Sequence, residues 1–322
     1  CAVAADDSAR LSECSKIEND TERMHCFAEI TGRKTEPAPL SVMTRHWDLD
    51  TKNRRHTFVL RPYRLNYFLP IAYNSSPNED DSLDLDPKAK AQYNEAKFQI
   101  SFKVKAFEDV LGDTLKDVFA RDTGITGMDI WLAYTQLSFW QLYNSAFSAP
   151  FRDTNYEPEL LINFRTNYDL FGFKGRFFNV GFNHQSNGRS RPLSRSWNRI
   201  VGNVGMERGH FGLQLRTWYR LPDDENNDDN PDLIRYMGYG ELCGTLYWEK
   251  HRFAVMLRNN FRRENFGAVQ VDWSIPLSLI NKIFGDSFSF FIQYFNGYGE
   301  SLLDYNKSVN RISAGFMVAE WN

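Results

Sequence analysis

Hydrophobic and polar residues alternate with a period of two along most of the chain from about residue 56 onward. A period of two places successive side chains on opposite faces of a β-strand. The pattern therefore predicts about twelve strands, each with one apolar and one polar face. Their predicted spans are 57–73, 93–107, 125–143, 157–169, 175–187, 196–206, 210–221, 236–249, 251–262, 266–278, 286–297 and 307–320.

The polar face of these strands decides between two all-β architectures. A soluble sandwich needs apolar residues on its inner faces. Here the face opposite the apolar one carries residues that are too polar for such a core. The connections between the strands alternate between long ones, such as 222–232, and short ones, such as 207–209. An even number of strands with long and short connections on alternate rims is typical of bacterial outer-membrane barrels. We therefore predict an all-β, twelve-stranded antiparallel transmembrane barrel over residues 56–322. The polar residues are Asn163, Arg165, Asn179 and Gln185.

Composition agrees with this prediction and excludes other classes. Aromatic residues make up 15% of the chain, which suits the aromatic girdles of a barrel. The formal net charge of -3 gives no indication of nucleic-acid binding. The longest uncharged stretch, 130–151, contains too many polar residues to cross lipid as a helix.

Residues 1–55 differ from the rest of the chain. We interpret Cys1 and the alanines after it as the remnant of a secretory signal peptide, with a lipidated N-terminal cysteine as the alternative. The following segment is rich in helix formers and reads as a short, helical periplasmic extension. Cys14 and Cys26 lie in it and are expected to form a disulfide in an oxidising compartment, with two reduced thiols as the alternative.

The candidate chemistry lies in strands 175–187 and 196–206. The even positions of the first strand, among them Phe178 and Phe182, are apolar and are predicted to face lipid, and His184 and Ser186 continue this parity. Asn198 shares the parity of the apolar residues in the next strand. If the residues between them form the connection, His184 and Asn198 lie opposite each other as a cross-strand pair.

Each of these polar residues, taken alone, is explained as a rim residue that meets lipid headgroups. Together they satisfy the needs of an activated serine, which requires a base and a third group to orient that base. Ser186 is the candidate nucleophile, His184 the base and Asn198 the orienting group. A nucleophile on the lipid side has the ester bonds of the bilayer as its substrate.

The connection between the two strands is a turn sequence with exposed backbone groups and several serine hydroxyls. Such oxygens can hold a hard cation such as Ca²⁺. Few carboxylates lie nearby, so the site is expected to be weak unless a second chain contributes.

These residues form a long motif that resembles the signature of the outer membrane phospholipase A family. The resemblance covers residues 56–322, and three other stretches share it. The signature is His184-x-Ser186-Asn187-Gly188-Arg189, followed by Ser194-Arg195-Ser196-Trp197-Asn198-Arg199, and the other stretches span 148–158, 228–239 and 297–306.

The resemblance implies a calcium-dependent outer-membrane phospholipase with A1, A2 and lysophospholipase activity on glycerophospholipids. It implies a Ser-His-Asn triad of Ser186, His184 and Asn198, with the Gly188 amide in the oxyanion hole. It further implies a resting monomer and an active homodimer in the outer membrane of a Gram-negative cell.

The same resemblance implies the ligands of calcium and one residue of the dimer interface. Calcium would bind the Ser194 hydroxyl, the Arg189 carbonyl and the Ser148 carbonyl of the partner chain. Gln136 would lie in the dimer interface, and its parity places it on the apolar face; a lumenal Gln136 is the alternative.

The family also has a second, monomer-type calcium site that uses two aspartates. Here Asp229 matches one of them, but Arg191 replaces the other, which disfavours that site.

Two further functions fit a barrel of this kind. A passive porin predicts ion conductance that does not depend on Ser186. A structural or adhesive barrel predicts no ester hydrolysis with or without calcium.

Overall fold

The computed structural model describes residues 12–17, 23, 26–27, 30, 41–50, 54–78, 92–111, 124–224, 228–277 and 288–318. Strands dominate these residues, as the period of two predicts. The strands are β1 (Arg61–Pro62), β2 (Asn66–Asn74), β3 (Asn94–Phe107), β4 (Ile125–Trp140), β5 (Phe151–Leu170), β6 (Phe173–Ser186), β7 (Ser196–Arg208), β8 (Phe211–Leu221), β9 (Gly240–Trp248), β10 (His251–Asn259), β11 (Gly267–Pro276), β12 (Phe288–Gly297) and β13 (Val309–Val318). The short helices are α1 (Val42–Trp47) and α2 (Leu233–Met237), with a 3₁₀ turn at Ser145–Phe147.

The strands from β2 to β13 close into one antiparallel barrel. Each strand pairs with its neighbours in sequence, and β13 pairs with β2 to complete the ring. The two residues of β1 pair with β3 just beyond β2, so β1 and β2 together form one barrel strand. The prediction of a closed twelve-stranded barrel is therefore confirmed.

The break between β1 and β2 has a local cause. Pro62 has no backbone N–H to give to the ladder. A few residues later the side chain of Asn66 takes the place of the backbone: its Nδ2 donates to the Ser101 carbonyl at 3.0 Å and its Oδ1 accepts from the Ser101 amide at 2.7 Å. The predicted strand 57–73 is thus interrupted at residues 63–65 but keeps its place in the barrel.

Other predicted boundaries shift by a few residues, most of all at β5, which begins at Phe151 and not at 157. The strand expected over 236–249 begins at Gly240, because the preceding residues end helix α2 in the β8–β9 connection. Met237 in this helix is buried and packs in the same apolar cluster as Trp218. The connection between β2 and β3 lies partly outside the described residues.

The two faces of the wall have the polarity that the sequence predicts. Phe178 and Phe182 are exposed on the outside of β6, whereas Asn179 and Asn183 are completely buried on the inside. Asn163 and Arg165 of β5 are likewise buried in the lumen. The outer wall is therefore apolar and the lumen is polar.

Side chains fill the lumen at the end of the barrel where the chain enters it from α1. Trp47 at the end of α1 is 2% exposed and contacts the rings of Trp131 and Phe177. The Lys103 ammonium lies 3.4 Å from the centre of the Trp47 ring, which is a close cation–π contact. Asp48, directly after the helix, pairs with Arg61 and Lys105. This end of the lumen is packed with aromatic and paired charged groups.

The compact units of the chain divide at Val42, earlier than the predicted boundary at residue 55. In the N-terminal unit a disulfide joins Cys14 and Cys26, as predicted. The prediction for Cys1 lies outside the described residues. Across the described parts of the chain, no helix has both the length and the apolar character needed to span a bilayer.

Candidate active site

The pairing of β6 and β7 brings His184 and Asn198 together. They are directly opposed in the antiparallel register, and Nδ1 of His184 lies 2.8 Å from Oδ1 of Asn198. Asparagine oxygen only accepts, so this bond assigns the imidazole proton to Nδ1. The other ring nitrogen, Nε2, is then the basic one and points away from Asn198.

Ser186 lies two residues beyond His184 on the same strand and on the same outer face. Residues spaced by two in a strand are about 6.6 Å apart along the backbone, within reach of an imidazole and a hydroxyl. Ser186 is opposed by Ser196 on β7 and by Tyr156 on β5. The three predicted triad residues therefore share one face at one rim of the barrel.

Asn187 organises the connection that follows Ser186. Its backbone N–H donates to the Arg195 carbonyl at 3.0 Å, and its Nδ2 donates to the Leu193 carbonyl at 2.8 Å. Its Oδ1 accepts from the amide of Arg195 at 2.9 Å. This role of Asn187 was not predicted from the sequence. The signal was its place before Gly188, because Asn-Gly is a turn pair whose asparagine commonly bonds to nearby backbone.

Gly188 adopts a left-handed backbone conformation with φ +65°. The backbone therefore favours glycine, and a Cβ at this position would also crowd the Tyr156 ring, 3.0 Å from its Cε2. The next residue, Arg189, donates from Nη2 to the carbonyls of Phe151 and Arg152 at 3.0 and 2.5 Å. These bonds tie the β6–β7 connection to the start of β5.

Ser148 lies just before β5, in the β4–β5 connection on the same rim. Ser148 and Ala149 are consecutive non-glycine residues with positive φ, 57° and 48°. Such conformations are uncommon and persist only where the surrounding structure holds them. The Ala149 carbonyl accepts a bond of 2.8 Å from Trp140 Nε1, which holds this turn. Ser148 itself is exposed.

Ser194, Asp229 and Arg191 form a linked group at this rim. The hydroxyl of Ser194 donates a hydrogen bond to Asp229, and Nε of Arg191 lies 2.6 Å from Oδ1 of the same carboxylate. The Ser194 hydrogen bond, followed by the Arg191 guanidinium, lowers the pKa of Asp229. Asp229 is therefore ionised at neutral pH and is neutralised by Arg191.

These groups fit a weak site for a hard cation. Because the Ser194 hydroxyl gives its hydrogen to Asp229, the lone pairs of its oxygen remain available to a metal ion. Among the residues that the structure describes, no group of three or more His, Cys, Asp or Glu side chains is arranged to hold a metal. One chain thus offers mainly neutral oxygens.

Gln136 lies on the outer wall of β4, in the same parity as Leu132 and Tyr134. Tyr134 donates to its Oε1 at 3.3 Å, and its Nε2 donates to the Ser138 hydroxyl at 3.2 Å. One N–H and one lone pair of the amide remain for other partners. The alternative of a lumenal Gln136 is wrong.

A family model for phospholipase A1 matches residues 43–318. The chain therefore belongs to the phospholipase A1 family. It is 34% identical over 261 residues to phospholipase A1 of Escherichia coli K12, covering 81% of this chain and 82% of that one. A relative from Neisseria meningitidis serogroup B is 38% identical over 290 residues, covering 87% of this chain and 69% of the relative.

Solved structures of the same family share this barrel. Outer membrane phospholipase A from Escherichia coli superimposes with a TM-score of 0.71 at 32% identity, over 82% of this chain and all of that one. The calcium-bound dimer of the Salmonella typhi enzyme gives a TM-score of 0.74 at 31% identity, over 87% and 99% of the two chains. An active-site variant of the Escherichia coli enzyme, in which an asparagine is changed to alanine, gives 0.71 at 31%, over 84% and 95%.

The predicted family, the twelve-stranded barrel and the outer-membrane location are thus confirmed. The chain is an outer-membrane β-barrel of the phospholipase A1 family.

Proposed function

We propose that this chain is a calcium-dependent phospholipase that hydrolyses acyl ester bonds of membrane glycerophospholipids and lysophospholipids at a Ser186–His184–Asn198 triad. The observation that carries the proposal is the 2.8 Å contact between His184 Nδ1 and Asn198 Oδ1, on the same outer face as Ser186. An imidazole whose Nδ1 is held in this way presents a basic Nε2 to a neighbouring hydroxyl.

The reaction is acyl transfer in two steps. Nε2 of His184 takes the proton of Ser186 as Oγ attacks the ester carbonyl carbon, and the Gly188 amide donates to the resulting oxyanion. The bond from carbon to the glycerol oxygen then breaks, and His184 returns the proton to that oxygen. Water, deprotonated by His184, attacks the acyl-serine, and the fatty acid leaves as Ser186 is regenerated.

The place of the triad selects its substrate. The outer wall below it is apolar, with Phe182 and Ile200 exposed one row toward the middle of the barrel. A lipid lying against this wall keeps its acyl chains in contact with these residues while its ester groups reach the rim. A1, A2 and lysophospholipase activity all follow from one nucleophile that meets esters at this depth.

Calcium would be held by the Ser194 hydroxyl, the Arg189 carbonyl and a Ser148 carbonyl from a second chain. When bound, it would add positive charge near the oxyanion formed beside Gly188. The positive φ values at Ser148 and Ala149 support a turn of defined conformation at this exposed position. We expect no monomer-type second site, because Arg191 already pairs with Asp229.

The active form would be a homodimer and the resting form a monomer. A polar side chain in contact with lipid is costly, and half of the hydrogen-bonding capacity of Gln136 is not used by Tyr134 and Ser138. A second Gln136 across a two-fold axis would satisfy it, since such an axis places the same residue on both sides.

The central experiment is hydrolysis of phospholipid in detergent micelles, with and without calcium, by the native chain and by Ser186→Ala. The variant should lose several orders of magnitude in rate while keeping the heat-modifiable migration of a folded barrel. Hydrolysis at near-native rate by Ser186→Ala would remove Ser186 from the mechanism.

The porin alternative fits the lumen poorly. Trp47, Lys103 and Asp48 fill the lumen at one end, and ion pairs such as Arg216–Glu159 cross it further along. A passive channel should show conductance in planar bilayers that survives Ser186→Ala. A structural barrel should show neither conductance nor hydrolysis.

A further inference from the structure

The proposed triad residues on the outer wall alternate with lumenal residues that are bonded to one another. His184 lies between Asn183 and Gln185, and Asn198 lies between Trp197 and Arg199. Asn183, Trp197 and Arg199 are buried, and Gln185 is partly buried. We call these four residues, with Glu157 of β5, the lumenal clamp. Each half of the His184–Asn198 pair is therefore flanked by clamp residues on the opposite side of the wall.

Gln185 is the centre of the clamp on the side nearest Ser186. Its Oε1 accepts a hydrogen bond of 2.8 Å from Nε1 of Trp197, its partner in the β6–β7 register. The same oxygen accepts a second bond, of 3.1 Å, from Nη2 of Arg199. The side chain between His184 and Ser186 is thus tied to both neighbours of Asn198.

Arg199 connects the clamp to β5. Its Nε donates to Oδ1 of Asn183 at 2.5 Å, and its Nη2 donates to Oε1 of Glu157 at 2.7 Å. Asn183 in turn donates to the same Glu157 oxygen at 2.9 Å. The guanidinium also lies 3.9 Å from the centre of the Trp197 ring. Charged hydrogen bonds in a buried environment restrict side-chain freedom strongly.

On the outside the triad residues face lipid tails, which are fluid and make no directional bonds. The backbone ladders of β6 with β5 and with β7 fix which face each residue takes, and the clamp restricts the remaining tilt of these strands. Because successive residues of a strand point to opposite faces, fixing Asn183 and Gln185 inside also fixes the direction of His184 and Ser186 outside. The clamp is built across the two strands that carry the triad.

We propose that Gln185 and Arg199 are positioning residues for the triad, acting through the backbones of β6 and β7 without touching substrate. This inference rests on the proposed function. A misplacement of about 1 Å in reacting groups can cost about a hundredfold in rate. Loss of the Gln185 acceptor should therefore slow the chemical step while leaving lipid binding on the outer wall unchanged.

The test compares Gln185→Leu with a matched variant, Gln293→Leu. Gln293 is also a lumenal glutamine in a polar network: its Oε1 accepts from Lys97 at 2.6 Å and its Nε2 donates to Asp272 at 3.1 Å. It lies on β12, far around the barrel from the triad. Both variants remove the same polar group from the lumen, so a purely structural effect should appear in both.

Three measurements are needed for each variant: kcat and KM on micellar phospholipid, the rate of covalent reaction with an alkyl fluorophosphonate, and the urea midpoint of unfolding. In the probe reaction Ser186 Oγ bonds to phosphorus as fluoride leaves. We expect Gln185→Leu to lower kcat and the labelling rate about ten- to a hundredfold, with KM within about twofold of native. Gln293→Leu should keep native kinetics, and Gln185→Glu, which keeps the acceptor oxygen, should recover most of the rate.

Equal kinetic losses in Gln185→Leu and Gln293→Leu, or native kinetics in Gln185→Leu, would overturn the proposal. So would a Gln185→Glu variant as slow as Gln185→Leu at equal stability. These outcomes differ from a failure of the proposed function, which would appear as native hydrolysis and undiminished labelling in Ser186→Ala.

Discussion

His184 and Asn198 are joined across β6 and β7 by a contact of 2.8 Å between Nδ1 and Oδ1. The pair is a direct cross-strand pair in the register, so the sheet itself sets their separation. Asparagine is neutral, and it therefore orients the ring but stabilises the imidazolium less than a carboxylate would. In the proposed triad, the bond to Asn198 sets the tautomer of His184, and the imidazole of His184 itself transfers the proton.

Asn198→Ala should therefore be less damaging than His184→Ala. Removing His184 removes the group that moves the proton, whereas removing Asn198 leaves a base that is present but loosely oriented. We expect kcat of Asn198→Ala to lie at least tenfold above that of His184→Ala in the micellar assay. If the two variants are equally slow, Asn198 does more than orient the imidazole.

Gly188→Ala should lower kcat and cost about 1 kcal/mol of stability, because alanine is strained at a positive φ. The added Cβ would meet Tyr156 at 3.0 Å in a backbone with φ +65°, and relief of that contact would turn the amide away from the oxyanion. The loss of one such donor costs about a hundredfold to a thousandfold.

Gly209→Ala is the matched control for this change. Gly209 has φ +57° and nothing within 4 Å of its Cβ position, and it lies in the β7–β8 turn on the other rim. Gly209→Ala therefore imposes a similar backbone strain without contacting the candidate active site. A comparable kinetic loss in Gly209→Ala would mean that backbone strain alone, and not the oxyanion donor, explains the effect.

The strand pattern predicted the side of the wall on which each residue of the proposed triad lies. Parity is a local property: Phe182 and His184 share a face whatever surrounds them, and the lipid outside requires that face to be apolar. The twelve strands and the His184–Asn198 pairing follow from the same rule. The helix α2 at Leu233–Met237 was missed because its five residues are too few to show a helical period.

The lumenal partners were not predictable in the same way. Gln185 and Arg199 are visible as lumenal residues, but their bonds depend on the radius of the barrel and on which rotamer each long side chain adopts. The pairing of Arg191 with Asp229 joins two connections 38 residues apart, and no local pattern contains it. Trp47 reaches the lumen from outside the alternating segments, so the period of two could not identify it.

Gln136→Leu should weaken the homodimer without unfolding the monomer. The change removes a polar group that, in our proposal, bonds to its copy across the two-fold axis. Interhelical polar contacts in membranes average about 0.6 kcal/mol, so a change of a few-fold in the dimer dissociation constant is expected here by analogy. Sedimentation equilibrium in detergent measures it.

Leu132→Ala is the control for that experiment, because Leu132 lies on the same face of β4 and is apolar. A tighter dimer in Gln136→Leu would show that the glutamine opposes association.

Asp229→Asn should weaken activation by calcium. Asp229 accepts the hydrogen bond of Ser194, the proposed ligand, and is ionised at neutral pH. In Asp229→Asn the Ser194 hydroxyl keeps an acceptor but loses the negative charge that polarises it, and Arg191 loses its counter-ion beside the site. We expect the calcium concentration for half activation to rise several-fold. Asp223→Asn, in the same connection but paired with Arg220, should leave it unchanged.

Activity should require calcium and the dimer together. One chain offers Ser194 and Arg189 as oxygen ligands, and within the described residues no acidic cluster completes a metal site. A Ser148 carbonyl from a second chain would complete it, and the pairing would also cover the apolar wall beside the triad and exclude water from the ester. Because calcium would bind the dimer better than the monomer, it would shift the equilibrium toward the dimer.

An enzyme embedded in its own substrate needs such a restraint, since a constitutively active monomer would digest the membrane around it. Analytical ultracentrifugation and hydrolysis should be followed over one calcium titration, with Ser186→Ala as the inactive reference for the assembly curve. The dimer fraction and the rate should rise over the same calcium range, and Ser186→Ala should dimerise like the native chain. A fully active monomer, or full activity in excess chelator, would rule out this mode of activation while leaving the assignment of Ser186 in place.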